Sequence, residues 1–294
     1  MASPADAPDA PDAATDEATE PSPPASRRPR GVLLEVAYRG TRYSGFAAQR
    51  DVPTIEGELS RALRAIDPTA SSLRFASRTD AGVHADGNLV AFDAELALPP
   101  RGWLQTLNRE LPDDIAVRRV RAMPPGFNPR FASRSKRYRY SILLDKVRDP
   151  ALADRAWRVG YEVRLDALEA ECGSVLGTHD FAAFRGAGDA RENTVRTLTR
   201  VELVRTPDPR LVQLVVEGSA FLYNMVRIVA GSLVDVGRAH LAPGGLARAL
   251  ATKDRRDLGQ TAPAHGLCLE HVEYTLPADV PMATSDRDTT PWPS

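Results

Sequence analysis

Only two cysteines, Cys172 and Cys268, occur in 294 residues, far apart and outside any CxxC pattern. This excludes a disulfide framework and fits a reducing, cytoplasmic setting. No uninterrupted apolar stretch reaches the roughly 20 residues that a membrane-spanning helix needs, so no membrane partner is expected. The first residues lack a basic start followed by an apolar run, so no secretory signal is expected. There is no GxxxxGK[ST] phosphate loop, and Gly186-Ala187-Gly188 lacks the third glycine and the following helix of a dinucleotide site. The five histidines (His84, His179, His240, His265, His271) form neither HExxH nor any paired ligand spacing. His84 with Asp80 and Asp86 imitates a metal site but reads better as a satisfied turn histidine. There is no GxSxG, and neither cysteine has the surroundings of a nucleophile. Redox, ATP-driven and zinc chemistry are thus unsupported, and no cofactor or metal is expected. A redox-neutral reaction run by one carboxylate stays open.

Charge is also missing in places. Residues 1–26 hold six acids and no Lys or Arg, and residues 277–294 hold three acids and Arg287. The formal net charge of -1 therefore conceals a basic body, with 37 basic and 30 acidic residues between 27 and 276. A net of +7 there suits a polyanionic partner such as nucleic acid. Without aromatic or large aliphatic residues apart from Met1, the first stretch cannot bury enough surface to order itself. We read 1–30 as a disordered acidic tail and 277–294, with four prolines, as a loose C-terminal one.

The rest carries an ordered pattern. Gly31 to Tyr38 reads as a strand, and Pro53-Thr54 opens a helix with Ile55, Leu59, Ala62, Leu63 and Ile66 at helical spacing. Strand-like Leu73–Ala76 and Leu89–Phe92 flank a turn. A helix over Arg101–Glu110 and a strand from Ile115 to Val120 complete a first half. The second half reads as a strand to Leu144, a helix over Leu165–Leu176 and a flexible loop over Arg185–Asn193. Strands Leu198–Val204 and Leu211–Glu217, helices Phe221–Arg238 and Pro243–Ala251, and a strand Glu270–Thr275 follow. This order predicts an α+β fold: two halves, 31–132 and 133–276, each with a mainly antiparallel sheet covered by helices.

Four places carry chemistry. In Arg78-Thr79-Asp80-Ala81-Gly82, Gly82 permits the positive φ of a sharp turn, which would hold the Asp80 carboxylate at a strand end. Taken alone, the same pattern fits an Asp-initiated turn with a solvated arginine. Arg227 is the only charged residue between Gly218 and Val234. It either snorkels to water or is buried against a carboxylate, and Asp80 would be its natural partner. Tyr138 lies on a strand whose alternation puts Tyr138, Tyr140 and Ile142 on one face and Arg137, Arg139 and Ser141 on the other. It is either a core aromatic or a platform for a flat base. Arg130, Arg134, Lys136, Arg137 and Arg139, with no acid among them, are either a solvated face or a phosphate track.

The turn Arg78–Ala85 resembles the signature of the tRNA pseudouridine synthase A family. Other segments are similar in order: Tyr43–Gln49 with Thr54–Leu59, Phe127–Phe131, Lys136–Tyr140, His179–Phe184, Thr194–Arg196, Phe221–Arg227 and Thr261–Leu267. The resemblance spans about residues 31–276. It implies two RRM-like halves joined into one pseudouridine synthase catalytic domain. It also implies an enzyme, an isomerase, acting on uridines of the tRNA anticodon stem-loop, with no cofactor and as a homodimer. By this resemblance Asp80 is the essential aspartate and Arg78 the arginine that helps open the RNA. Tyr138 is the tyrosine stacking on the target base, Arg227 the basic partner of the aspartate, and Leu267 the apolar residue against the tyrosine. The chain departs from the family pattern at Ser77 (usually glycine), at Phe46-Ala47 (often Trp-Gln) and at Asn88-Leu89 (commonly Gln-Val). A non-catalytic RNA-binding or RNA-folding protein on the same scaffold, and a nucleoside hydrolase, are the alternative readings.

Overall fold

A computed structural model of the chain describes residues 29–277; most of both predicted tails lies outside them. The first strand, β1 (Arg30–Tyr38), is buried almost throughout because neighbours pair with both of its edges. α1 (Ile55–Ile66) starts where the Thr54 hydroxyl accepts the Gly57 N–H, and it buries Ile55, Leu59, Ala62 and Leu63 as one stripe. A two-residue β2 (Arg74–Phe75) leads through the Asp80 turn into β3 (His84–Ala94). α2 (Pro100–Glu110) begins on a proline and packs Trp103 edge-on against Phe92, with ring centroids 5.1 Å apart. β4 (Ile115–Met123) closes this side of the sheet against β1.

A single turn of helix, α3 (Pro129–Ala132), is capped by Asn128 and delivers the chain into β5 (Ser133–Leu144). β6 (Trp157–Val159), α4 (Leu165–Cys172), β7 (Gly177–Asp180), β8 (Val195–Arg205) and β9 (Leu211–Gly218) follow. α5 (Met225–Gly237), α6 (Gly245–Thr252) and β10 (Leu267–Tyr274) complete the described chain. The ten strands form one sheet in the order β4-β1-β3-β10-β5-β9-β8-β7, with β2 on β3 and β6 on β5. The α+β class and the mainly antiparallel pairing match the sequence reading. The two predicted sheets are one continuous sheet, joined where β10 pairs in parallel with β3 (Cys268 opposite His84, Leu269 opposite Ala85).

Several boundaries differ from expectation. α5 starts at Met225, four residues after Phe221, because Asn224 stands in the left-handed region (φ 60°) and turns Phe221–Asn224 away from the helix axis. α4 ends at Cys172 and gives way to a short 3-10 turn, Gly173–Val175. β10 begins at Leu267 because Leu267, Cys268 and Leu269 are all buried, which hides strand alternation. β6 and β7 were not expected; at three and four residues they are too short to leave a pattern.

Candidate active site

The entry to β3 is built around the Asp80 turn. Gly82 takes φ +78°, and its N–H donates to Tyr43 O at 3.3 Å, while Val83 N–H returns to Asp80 O at 3.1 Å. Gly45 presses on the turn from outside: Phe46 N–H donates to Thr79 O, and a Cβ on Gly45 would stand 3.0 Å from that oxygen. Beneath the turn runs a buried polar chain. Tyr38 OH bonds Thr79 Oγ1 at 2.7 Å, and Asn88 Nδ2 donates to Ser77 O at 2.9 Å and to Tyr38 OH at 3.3 Å. Two positions that depart from the family pattern, Ser77 and Asn88, thus sit in one network supporting the turn.

Asp80 opens into a cavity of about 840 Å³ lined by the turn, by Tyr138 of β5, by Leu267 of β10, by Phe221–Val226, and by Ala187–Arg191. Arg227 Nη1 lies 3.9 Å from Asp80 Oδ2, and both side chains are largely shielded from water. The guanidinium is held mainly elsewhere, donating to Asn224 Oδ1 at 2.7 Å and Ala262 O at 2.8 Å. Burial pushes the Asp80 carboxyl above its ordinary range, while Arg227 and, more weakly, Arg191 pull it back. Arg227 therefore does not by itself fix the charge of the carboxylate, since desolvation is the larger influence.

Tyr138 is buried, its ring edge-on to Phe221 with centroids 5.0 Å apart, and its hydroxyl bonds Ser77 Oγ at 3.0 Å. Burial pushes this phenol up to about 12. Leu267, also buried, is the first residue of β10 and contributes an apolar wall. Arg78 is exposed at the rim, its guanidinium 5.7 Å from the Phe75 ring centroid. All five residues singled out from the sequence, Arg78, Asp80, Tyr138, Arg227 and Leu267, come to one region, and all but Arg227 line the cavity itself.

The structure divides the basic run. The pleat of β5 puts Lys136 on the Tyr138 face and Arg137 and Arg139 on the other. There Arg137 pairs with Glu217, and Arg139 with Asp86 and Glu270. Of the five cations only Arg130 and Lys136 line the cavity, so a continuous track over all five does not exist. The loop 185–193, expected to be flexible, is tied down. Gly186 N–H donates to Tyr223 O at 2.8 Å, Tyr223 N–H to Asp189 Oδ2 at 3.0 Å, and Arg191 grips Asp189 and Phe221 O.

Sequence reasoning passed over the Asp189–Arg191 pair as a contributor to this site, and it named Ser77 and Phe221 only through the family pattern. Lys136 was already named in the basic run, and its position two residues before Tyr138 puts it on the same strand face. His84 is held as a neutral ring: Gly40 N–H donates to Nδ1 at 3.2 Å and Nε2 faces His265 O at 3.1 Å.

Known proteins resemble the chain over most of its length. The family described as tRNA pseudouridine synthase matches residues 35–132 and 172–275. A tRNA pseudouridine synthase A of Citrifermentans bemidjiense is 40% identical over 251 residues, covering 85% of this chain and 100% of the relative. One from Geobacter sulfurreducens is 40% identical over 245 residues, covering 83% and 100%. One from Bacillus subtilis is 36% identical over 241 residues, covering 81% and 97%. With the match running through both sides of the β3–β10 seam, the chain belongs to the tRNA pseudouridine synthase family.

Proposed function

We propose that the chain isomerises uridine to pseudouridine in the tRNA anticodon stem-loop, with Asp80 as the catalytic carboxylate. The observation that carries this reading is a partly buried carboxylate at 3.9 Å from Arg227. It faces a cavity walled by Tyr138 and Leu267 and large enough for a nucleotide. The uridine must leave its stack to reach Asp80, and Arg78 at the rim stands where it would meet the opened RNA. The C1′–N1 bond breaks, the base turns while held against Tyr138, and C5 bonds to C1′; C5 then gives its proton to water and N1, freed from the sugar, takes one up. Burial makes the Asp80 carboxylate more basic, which suits either of two roles. It can stabilise or trap the cationic sugar as in glycoside cleavage, or remove a ribose proton to give a glycal-like intermediate. The apolar wall keeps water from the detached base. Nothing is oxidised and no group is donated, so the residues present suffice. We place the enzyme in the cytoplasm as a homodimer, which sedimentation tests.

The test is incubation with tRNA carrying tritium at uridine C5. The native protein releases tritium, and Asp80→Asn releases none while still binding tRNA. Free uracil as product would replace the isomerase by a hydrolase. Binding without reaction by the native protein would leave an RNA-binding module. Primer extension on carbodiimide-treated product tRNA locates the new pseudouridine, and a site outside the anticodon stem-loop would refute that assignment.

A further inference from the structure

Lys136 is a cation that the fold half-buries without a counter-charge. Its ammonium donates to Ala76 O at 2.7 Å, at the start of the segment that carries Asp80. Among the described residues no carboxylate comes within ion-pair distance of it, of Arg130 or of Arg78, although all three line the cavity. The nearby Asp189 is occupied by Arg191 and by Tyr223 N–H. Burial pushes the Lys136 ammonium down to about 8, and Arg130 and Arg191 push the same way. A partly desolvated ammonium with like charges near it is costly, and an anion beside it relieves the cost. An ammonium has three donors, and only one of Lys136's is taken by the protein.

Building on the function proposed above, we propose that Lys136 seats a backbone phosphodiester of the flipped nucleotide, with Arg130 closing the seat. Its bond to Ala76 then couples that phosphate to the turn bearing Asp80. The groups facing Lys136 are Asp80 and Arg78 from the turn, Arg130 from α3, and Asp189 and Arg191 from the 185–193 loop. Tyr138 adjoins it on β5, and its cross-strand neighbours, Gly218 and Val272, do not titrate. Tyr138, pushed up to about 12, stays neutral up to pH 9, so a loss of RNA affinity above pH 8 reports Lys136.

The test compares native protein, Lys136→Gln and Lys136→Arg. Glutamine keeps a donor for Ala76 O but removes the charge; arginine keeps the charge. Equilibrium binding of a tRNA anticodon stem-loop and tritium release are both measured, across salt and from pH 6.5 to 9.5. Glutamine should weaken Kd and KM about 10- to 30-fold, as for one charge-assisted contact, with kcat within about threefold. The slope of log Kd against log salt should fall by roughly 0.7 to 0.9, as for one phosphate. The native rise in Kd above pH 8 should vanish in the glutamine protein, and arginine should restore most of the salt slope. A stem-loop with a neutral methylphosphonate at the target nucleotide should weaken native binding, with little further loss in Lys136→Gln. Full multiplication of the two losses overturns the seat. So does a glutamine protein with unchanged Kd and salt slope, or one that loses kcat alone. A native protein that binds the stem-loop with these properties but releases no tritium sinks the isomerase reading and leaves the phosphate seat standing.

Discussion

Removing the Arg227 charge tests whether it governs the protonation of Asp80. Two unit charges 3.9 Å apart interact by about 4 kcal/mol at an effective dielectric constant near 20. The two side chains keep 17% and 23% of their surface in water, so screening leaves roughly half, about 2 kcal/mol. That is about a 30-fold change in the proton affinity of Asp80. The sign is fixed by geometry. Arg227 favours the ionised carboxylate, and without it only Arg191 opposes burial. If turnover needs the carboxylate ionised, Arg227→Met should move the acid limb of the single-turnover profile to higher pH. Its rate should fall most below pH 7 and approach the native rate as pH rises. Arg227→Lys should show a smaller displacement. Arg227 also anchors Asn224 and Ala262, so the variant should melt several degrees lower. A stability loss alone gives no rescue by alkali. An equal loss of rate at every pH, with the acid limb unmoved, would refute the reasoning and make Arg227 a substrate contact or a purely structural residue.

Three further outcomes are expected. Because the folded state raises the Asp80 carboxyl above its ordinary 3.8, the ionised side chain costs stability at neutral pH. Asp80→Asn should therefore raise the urea midpoint at pH 7, with the gain shrinking as pH falls toward 3.8; an unchanged or lower midpoint at pH 7 counts against it. Ser77→Ala strands the Tyr138 hydroxyl and should cost about 1–2 kcal/mol in urea unfolding, and Tyr138→Phe should remove most of that extra cost. Additive losses in that double-mutant cycle would mean that the bond contributes nothing. For His84 the folded state depresses the imidazole, so its contribution is fully present above pH 6.5 and is lost as pH falls below it. His84→Gln should flatten the stability profile between pH 7.5 and 5.5, and a variant with the native slope would exclude this histidine as the cause.

Residues whose environment is set by their own segment were the legible ones. Arg227 stood out because it is the only charged residue between Gly218 and Val234, and Gly82 because a carboxylate two residues earlier needs a turn. What sequence hid was pairing across long separations. The Ser77–Tyr138 hydroxyl bond spans 61 residues, and without it Ser77 reads only as a departure from the family pattern. The 185–193 loop looked flexible from its glycines, yet its anchors at Phe221 and Tyr223 lie some 30 residues on. The five-cation run looked like one block because composition ignores the pleat, which sends Lys136 to the cavity and Arg137 and Arg139 to the far face. The apolar run from Phe221 continues the helical pattern of α5, and only the left-handed backbone at Asn224 reveals that it is a cavity wall.

The direction of one strand pair explains why these distant segments meet. β3 and β10 run parallel where they touch, so both begin at the same edge of the sheet. The segments leading into them, 76–83 and 260–266, therefore emerge side by side. His84 Nε2 reaches His265 O at 3.1 Å, and a Cβ on Gly82 would stand 3.3 Å from that of Ala264. The first segment carries Asp80, and the second offers Ala262 O to the Arg227 guanidinium. Were β10 antiparallel to β3, its eight residues would carry that entry roughly 25 Å to the other edge. Arg227 would then lose its carbonyl anchor and Leu267 its place in the wall. β5 in turn runs antiparallel to β10, with Tyr138 opposite Leu269 and Tyr140 opposite Leu267, which sets the tyrosine beside the same entry. A two-residue parallel contact thus assembles the carboxylate, its cation and both walls of the cavity from opposite ends of the chain.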